Sequence, residues 1–186
     1  MSVYPADFSE VRRLPYNLGT FPEPLLKSGM LLRLDTANGG VFPITASGSS
    51  RPTGDVTTGV TTLYGVAMSG VDEAIDPVFS GLPDFAGQAH VKRIFVAVCV
   101  PHRELIVFPI NRNNGEIDYS QAVPANIGRP VGLYYRNIPR VFAGTTYWTE
   151  IGGSVGGTET AGFVVGITRD RRLIIRVNRS RWAELA

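Results

Sequence analysis

Apolar runs of strand length, separated by glycine, proline and asparagine, recur along this chain. Residues 30–34 and 41–44 are two such runs. Thr36-Ala37-Asn38-Gly39-Gly40 joins them and is a hairpin signal, because Asn-Gly suits a turn that needs positive φ. Residues 61–69 form the next run. Residues 91–100 and 104–110 are the most continuous apolar stretches, and with Pro101-His102-Arg103 between them they predict a hairpin of buried central strands. After a turn at Asn113-Asn114-Gly115 come residues 131–135, 138–142, 147–151, 162–168 and 173–178. The Ser/Thr/Gly-rich passages 45–59 and 152–157 predict exposed loops, and residues 75–87 a further irregular passage. About ten short strands at close spacing predict an all-β protein, a β-barrel or β-sandwich.

The middle and the end of the chain read as two copies of one pattern. Gly65 and Gly166, and the pairs Val41-Phe42 and Val141-Phe142, stand about 100 residues apart. This predicts two similar β-rich halves flanking a shared central hairpin.

Residues 1–27 differ from the rest. Pro5, Pro15, Pro22 and Pro24 alternate with Tyr4, Phe8, Leu14, Tyr16, Leu18 and Phe21. Prolines oppose regular structure, while the large apolar side chains require a surface to cover them. The segment therefore reads as an extended arm, lying either on its own domain or on a neighbouring subunit. The expected organisation is an arm over 1–27, a β body over 28–178 and a short tail over 179–186 with one helical turn. If the arm makes the external contacts, deleting residues 1–24 leaves the body folded and abolishes docking.

Composition agrees with one folded domain. Of 186 residues, 44% are apolar and 18% charged, which suffices for a core and is too little charge for a disordered chain. The 21 glycines and 13 prolines favour strands and turns over helices. No apolar window is long enough to span a bilayer. Residues 1–16 contain Asp7, Glu10, Arg12 and Arg13 and no secretion-type apolar region, so a cytosolic product, or one released only by lysis, is expected. The net charge of +2 does not by itself call for nucleic acid. Its distribution is uneven, with Arg169, Arg171, Arg172, Arg176, Arg179 and Arg181 crowding the C-terminal end. Arginine suits interfaces through its planar, weakly hydrated fork. These residues read as a charged turn on a half-buried strand or as contacts to an acidic protein surface. Stacking on nucleic acid needs interleaved aromatics, and only Trp182 is near in sequence.

Candidate chemistry is sparse. The chain has no Gly-x-x-x-x-Gly-Lys-Ser/Thr loop. His90 and His102 are the two histidines and Cys99 the one cysteine, too few for a closed zinc site. Cys99 lies in a strand-like run and reads as a core residue, and His102 as a turn residue. Asp72, Glu73 and Asp76 lack calcium-loop spacing. No enzyme activity, cofactor or metal is expected. Tyr134, Tyr135, Tyr147 and Trp148 offer an alternative, a carbohydrate-stacking surface, if they are exposed.

Gly29-Met30-Leu31-Leu32-Arg33-Leu34, a loop-rich crossing, Tyr64-Gly65-Val66-Ala67, Phe163-Val164-Val165-Gly166-Ile167 and the closing strand over 173–177 together resemble the capsid decoration, or cement, proteins of tailed bacteriophages. The resemblance covers residues 28–178 in outline and has no counterpart for the stretch between Asp72 and Val91. It implies a β-barrel, a homotrimer and a place on the capsid exterior, where the protein would stabilise the shell by binding the major capsid protein. Neither nucleic acid nor membrane is expected as a partner. The interface residues expected on this reading are Tyr4, Phe8, Leu14, Tyr16 and Phe21 of the arm and Arg171, Arg172, Arg176, Arg179 and Arg181 of the basic end. A neck, tail or baseplate β-protein of the same virion class is the alternative location.

Overall fold

A computed structural model describes residues 3–6, 10–16, 26–34, 40–58, 63–68, 94–100, 103–156 and 161–182. Over these residues the chain is all-β, as its turn-punctuated apolar runs predict. The strands are β1 (Val3–Pro5), β2 (Glu10–Tyr16), β3 (Leu31–Leu34), β4 (Val41–Pro43), β5 (Ala46–Ser47), β6 (Leu63–Ala67), β7 (Ile94–Val100), β8 (Glu104–Val107), β9 (Pro130–Tyr135), β10 (Pro139–Phe142), β11 (Thr145–Trp148), β12 (Ile151–Val155), β13 (Gly162–Ile167) and β14 (Leu173–Val177).

Ten of these strands form two rings. The first runs β2-β4-β3-β6-β7 and returns to β2. The second runs β12-β9-β13-β14-β8, and β12 meets the chain again two residues beyond β8 at the Pro109–Gly153 bridge. Counted in chain order within each ring, both follow the sequence first, third, second, fourth, fifth. In both, first and third strands meet through one parallel bridge, Tyr16 with Val41 and Pro109 with Gly153, while the ladders between the other neighbours are antiparallel. Each ring thus closes through a single bridge rather than a full ladder.

The sequence doubling therefore has a structural counterpart, with different boundaries. Gly65 and Gly166 both lie in the fourth strand of their ring. Val41-Phe42 lies in the third strand of the first ring, whereas Val141-Phe142 lies in β10, an insertion between the second and third strands of the other. The expected central hairpin is also corrected. β7 pairs with β2 and β6, and β8 with β1 and β14, so the two strands belong to different rings.

Residues 152–157 do not form a simple loop, because 152–155 belong to β12. Their glycines mark a close approach of two backbones rather than a turn. A Cβ on Gly152 would lie 2.9 Å from the Phe108 carbonyl oxygen, and one on Gly153 would lie 2.9 Å from Val107 Cγ2. The 45–59 passage is likewise partly buried. Asp55 Oδ1 accepts hydrogen bonds from the Thr57 amide and hydroxyl, Oδ2 accepts from the Leu133 amide, and Val56 N–H donates to the Leu133 carbonyl.

The N-terminal segment is extended and lies on its own domain. β2 pairs with β7 over seven residues and β1 with β8 over three. Prolines are tolerated because of where they sit. Pro5 ends an edge strand, and Pro15 stands beside a seam where only Tyr16 reaches β4. β1 joins the second ring while β2 belongs to the first, so this segment ties the two together.

One core spans both rings. Leu31, Leu63 and Val66 of the first pack with Leu105, Val131, Leu133, Ile151, Leu173 and Ile175 of the second, and with Trp148 and Trp182. A second core fills the first ring with Met30, Leu32, Val41, Tyr64 and Val98, against which Leu14 packs. β6 is buried on both faces, which explains its unbroken apolar run. The 179–181 stretch forms the single helical turn expected of the tail, and Trp182 bridges to Leu63.

Candidate interaction surfaces

Among the described residues the inserted hairpin β10–β11 carries the most exposed large apolar side chain, Val141. Ala143 and Gly144 take φ of 48° and 78°, as a two-residue turn between twisted strands requires. Its register runs from Phe142–Thr145 at the tip to Pro139–Trp148 at the base. The base is fixed: β11 pairs with β5, and the Trp148 indole N–H donates to the Gly48 carbonyl at 3.0 Å. The outer strand is open. Val141 is 69% exposed, with Ile138 at 39% and Phe142 at 37%. Pro139 lacks an amide on that edge, which discourages pairing with a foreign strand. Contacts to this edge therefore fall to its side chains.

A ladder of arginines and aromatic rings crosses one end of the second ring. The Arg172 guanidinium lies 4.7 Å from the Tyr4 ring centroid and 4.4 Å from that of Phe108, and Arg136 lies 4.9 Å from Phe108. Cation–π contacts of this kind contribute about 0.5–2 kcal/mol each. Carboxylates hold the ends. Arg172 Nε meets Asp170 Oδ2 at 2.7 Å, and buried Glu150 receives Arg140 Nη2 at 2.9 Å with Arg136 Nη1 at 4.0 Å. Hydrogen bonding to Tyr4, reinforced by Asp170, raises the Arg172 pKa, whereas burial lowers that of Arg136 against the pull of Glu150. Beside the ladder, Arg171 lies 5.3 Å from the Tyr119 ring centroid and donates from Nη2 to the Tyr119 carbonyl at 2.8 Å.

The expected interface residues divide between these features and the interior. Tyr4 is a rung of the ladder and Leu14 packs on the second core, so neither is a free external anchor. Tyr16 pairs through its backbone with Ile94 and Val41. Phe8 and Phe21 lie outside the described residues, as do His90, His102, Asp72, Glu73 and Asp76. Arg176 is paired with Glu104. Arg171 and Arg179 are exposed, and Arg172 and Arg181 are half-buried. Ile138, Val141 and Phe142 were not among the expected interface residues. Their signal is the short Ala143-Gly144 link between two strand-like runs.

The carbohydrate platform is not assembled. Tyr134, Tyr135 and Trp148 are buried, and Tyr147 packs partly buried on the second core. Among the described residues no three His, Cys, Asp or Glu side chains are grouped to hold a metal ion, and no helix is long and apolar enough to cross a membrane.

Burial pushes the Tyr135 hydroxyl up to about 12, with Arg33 opposing the shift. Its neutral form is thus favoured by folding. This contribution is complete below the unfolded value near 10 and is lost as pH rises from about 10 through about 12, amounting to about 2–3 kcal/mol. Tyr135→Phe should remove that share of the alkaline loss, read as a smaller fall in Tm between pH 9 and pH 11.5 than in the wild type. Equal falls would contradict it.

No family model, curated protein or solved structure matches this chain.

Proposed function

We propose that this chain is a structural virion protein that binds the outer surface of a tailed-phage capsid as a homo-oligomer, a trimer by family resemblance, and stabilises the shell. The observation that carries the reading is the β10–β11 hairpin. Its base is pinned by a strand ladder and an indole hydrogen bond, and its open edge presents Ile138, Val141 and Phe142. Apolar side chains held in solvent on a rigid element mark a protein-binding site better than scattered exposed residues do. A preordered hairpin loses little conformational entropy on docking. Several copies presented by one oligomer would raise avidity, since each later contact is intramolecular. The partner would be the major capsid protein, and no reaction, cofactor or metal is part of the proposal.

Co-sedimentation with assembled capsids of the encoding phage tests this. The wild type should pellet saturably. V141E/F142E should keep the wild-type unfolding profile, because both side chains are exposed, yet lose at least tenfold in affinity; truncating one interface anchor costs about 2 kcal/mol or more. A variant that decorates capsids as tightly as the wild type would remove the hairpin from the proposal.

A further inference from the structure

We infer that the 168–172 turn, with Tyr119 beside it, is a preformed docking site for the carboxylates of an acidic protein surface. The inference deepens the structural reading above by naming a partner chemistry, but its geometry is independent of the capsid.

Arg171 is held in place twice. Its backbone sits at φ 61°, a left-handed conformation that is costly for a residue with a Cβ. Its guanidinium is stacked on Tyr119 and bonded to the Tyr119 carbonyl. An exposed arginine normally pays rotamer entropy when it binds; this one is already ordered, and its remaining N–H donors are left for a ligand. Arg169, two residues away on the same turn, is exposed. The neighbouring cations are satisfied within the molecule, Arg172 by Asp170 and Arg136 and Arg140 by Glu150. Asp170 is committed further, accepting from the Thr168 hydroxyl, a bond that lowers its pKa and keeps it ionised. Among the described residues Arg169 and Arg171 have no carboxylate partner, so the turn offers two cations that the fold does not neutralise.

The choice of carboxylates over nucleic acid follows from the rings. Single-stranded nucleic acid binds by stacking bases on open aromatic faces. Here Tyr4 and Phe108 are engaged by Arg172 and Arg136, and Tyr119 by Arg171. What remains for a partner is the fixed guanidinium fork, whose geometry matches a carboxylate.

The test is fluorescence anisotropy of the full chain with a labelled oligo-glutamate and, separately, an oligo-thymidylate of equal length. The wild type should bind the peptide more tightly than the oligonucleotide, and more weakly as salt rises from about 50 to about 300 mM. R169E/R171E should lose about tenfold or more in peptide affinity, and Tyr119→Leu, which removes the ring under Arg171 but keeps the carbonyl it bonds, a smaller but measurable factor. R103E/R129E makes the same charge change at the opposite end of β14, where Val177 N–H donates to the Arg103 carbonyl, and should leave affinity within about twofold of the wild type. Thermal unfolding of each variant checks the fold, and R169A/R171A replaces the charge reversal if that destabilises. Equal losses in the two double variants would show a general charge effect and overturn the inference. Tighter binding of the oligonucleotide that is lost in R169E/R171E would overturn the assigned partner. Capsid decoration that survives R169E/R171E while peptide binding is lost would leave this site standing and place it outside the capsid contact.

Discussion

Removing residues 1–24 is expected to abolish cooperative folding. The deletion takes away β2, whose seven residues pair with β7 from Glu10–Val100 to Tyr16–Ile94, and with it the strand that closes the first ring. It also removes β1, where Val3 is buried to 1% and donates its amide to the Gly29 carbonyl while Ala6 donates to that of Glu104. Each hydrogen bond contributes a net of about 1 kcal/mol and each buried aliphatic side chain about 1.5–3 kcal/mol. Losing both strands therefore removes an amount comparable to the whole stability of an ordinary domain, about 5–15 kcal/mol. It also uncovers the edges of β7 and β8, which would invite aggregation. The measurement is a thermal or urea unfolding curve of residues 25–186. A featureless or strongly shifted profile is expected, and a transition as sharp and as high as that of the full chain would contradict it. The same reasoning means that loss of docking in this truncation cannot be assigned to a detachable arm.

Gly162→Ala is expected to be the most damaging single methyl addition in the second ring. A Cβ at this position would land on the Arg176 carbonyl oxygen, with the Arg176 carbonyl carbon at 2.8 Å and Val177 Cα at 2.9 Å. These are backbone atoms of the paired strand, so no side-chain rotation relieves the clash, and β13 and β14 must separate where Gly162 faces Val177. Gly162 also faces Val131 of β9, so the disturbance reaches two ladders. A loss of about 3 kcal/mol or more follows, lowering Tm by about 10 °C in a chain of this size. Gly54→Ala is the matched control, because a Cβ there meets nothing within 4 Å. Its Tm should stay within about 2 °C of the wild type. Similar losses in the two variants would show that the close approach at Gly162 is not what requires glycine.

Local patterns reveal most of the strands, but not their partners. The runs at 30–34, 41–44, 131–135, 162–168 and 173–178 reappear nearly unchanged as β3, β4, β9, β13 and β14, since alternation and flanking turns are local signals. β12 is missed because Gly152-Gly153-Ser154 has loop chemistry, and only the approach of the 108–110 backbone explains why glycine is needed there. β1 and β2 are hidden by Pro5 and Pro15, which are acceptable only at an edge and a seam that the sequence does not mark. The 91–110 stretch reads as a hairpin because adjacent strands usually pair; here β7 and β8 pair with neighbours in different rings and not with each other. Of the two sequence matches, Gly65 and Gly166 fall in corresponding strands of the two rings, while Val141-Phe142 matches Val41-Phe42 by type and not by place. The arginine ladder could not be read at all. Tyr4, Phe108, Arg136 and Arg172 are far apart in the chain and meet only once β1, β8 and β14 are neighbours.

β5 and the Gly48 carbonyl pin the base of the inserted hairpin, and its outer strand presents apolar side chains to solvent. The structural role proposed for the chain is tested most directly by the number of copies that assembled capsids take up at saturation, measured together with the oligomeric state of the unbound protein. Saturation at many symmetry-related copies per capsid, in multiples of the solution oligomer, is the result expected of a decoration protein. No uptake by intact capsids, or uptake limited to a single ring at the tail vertex, would contradict it.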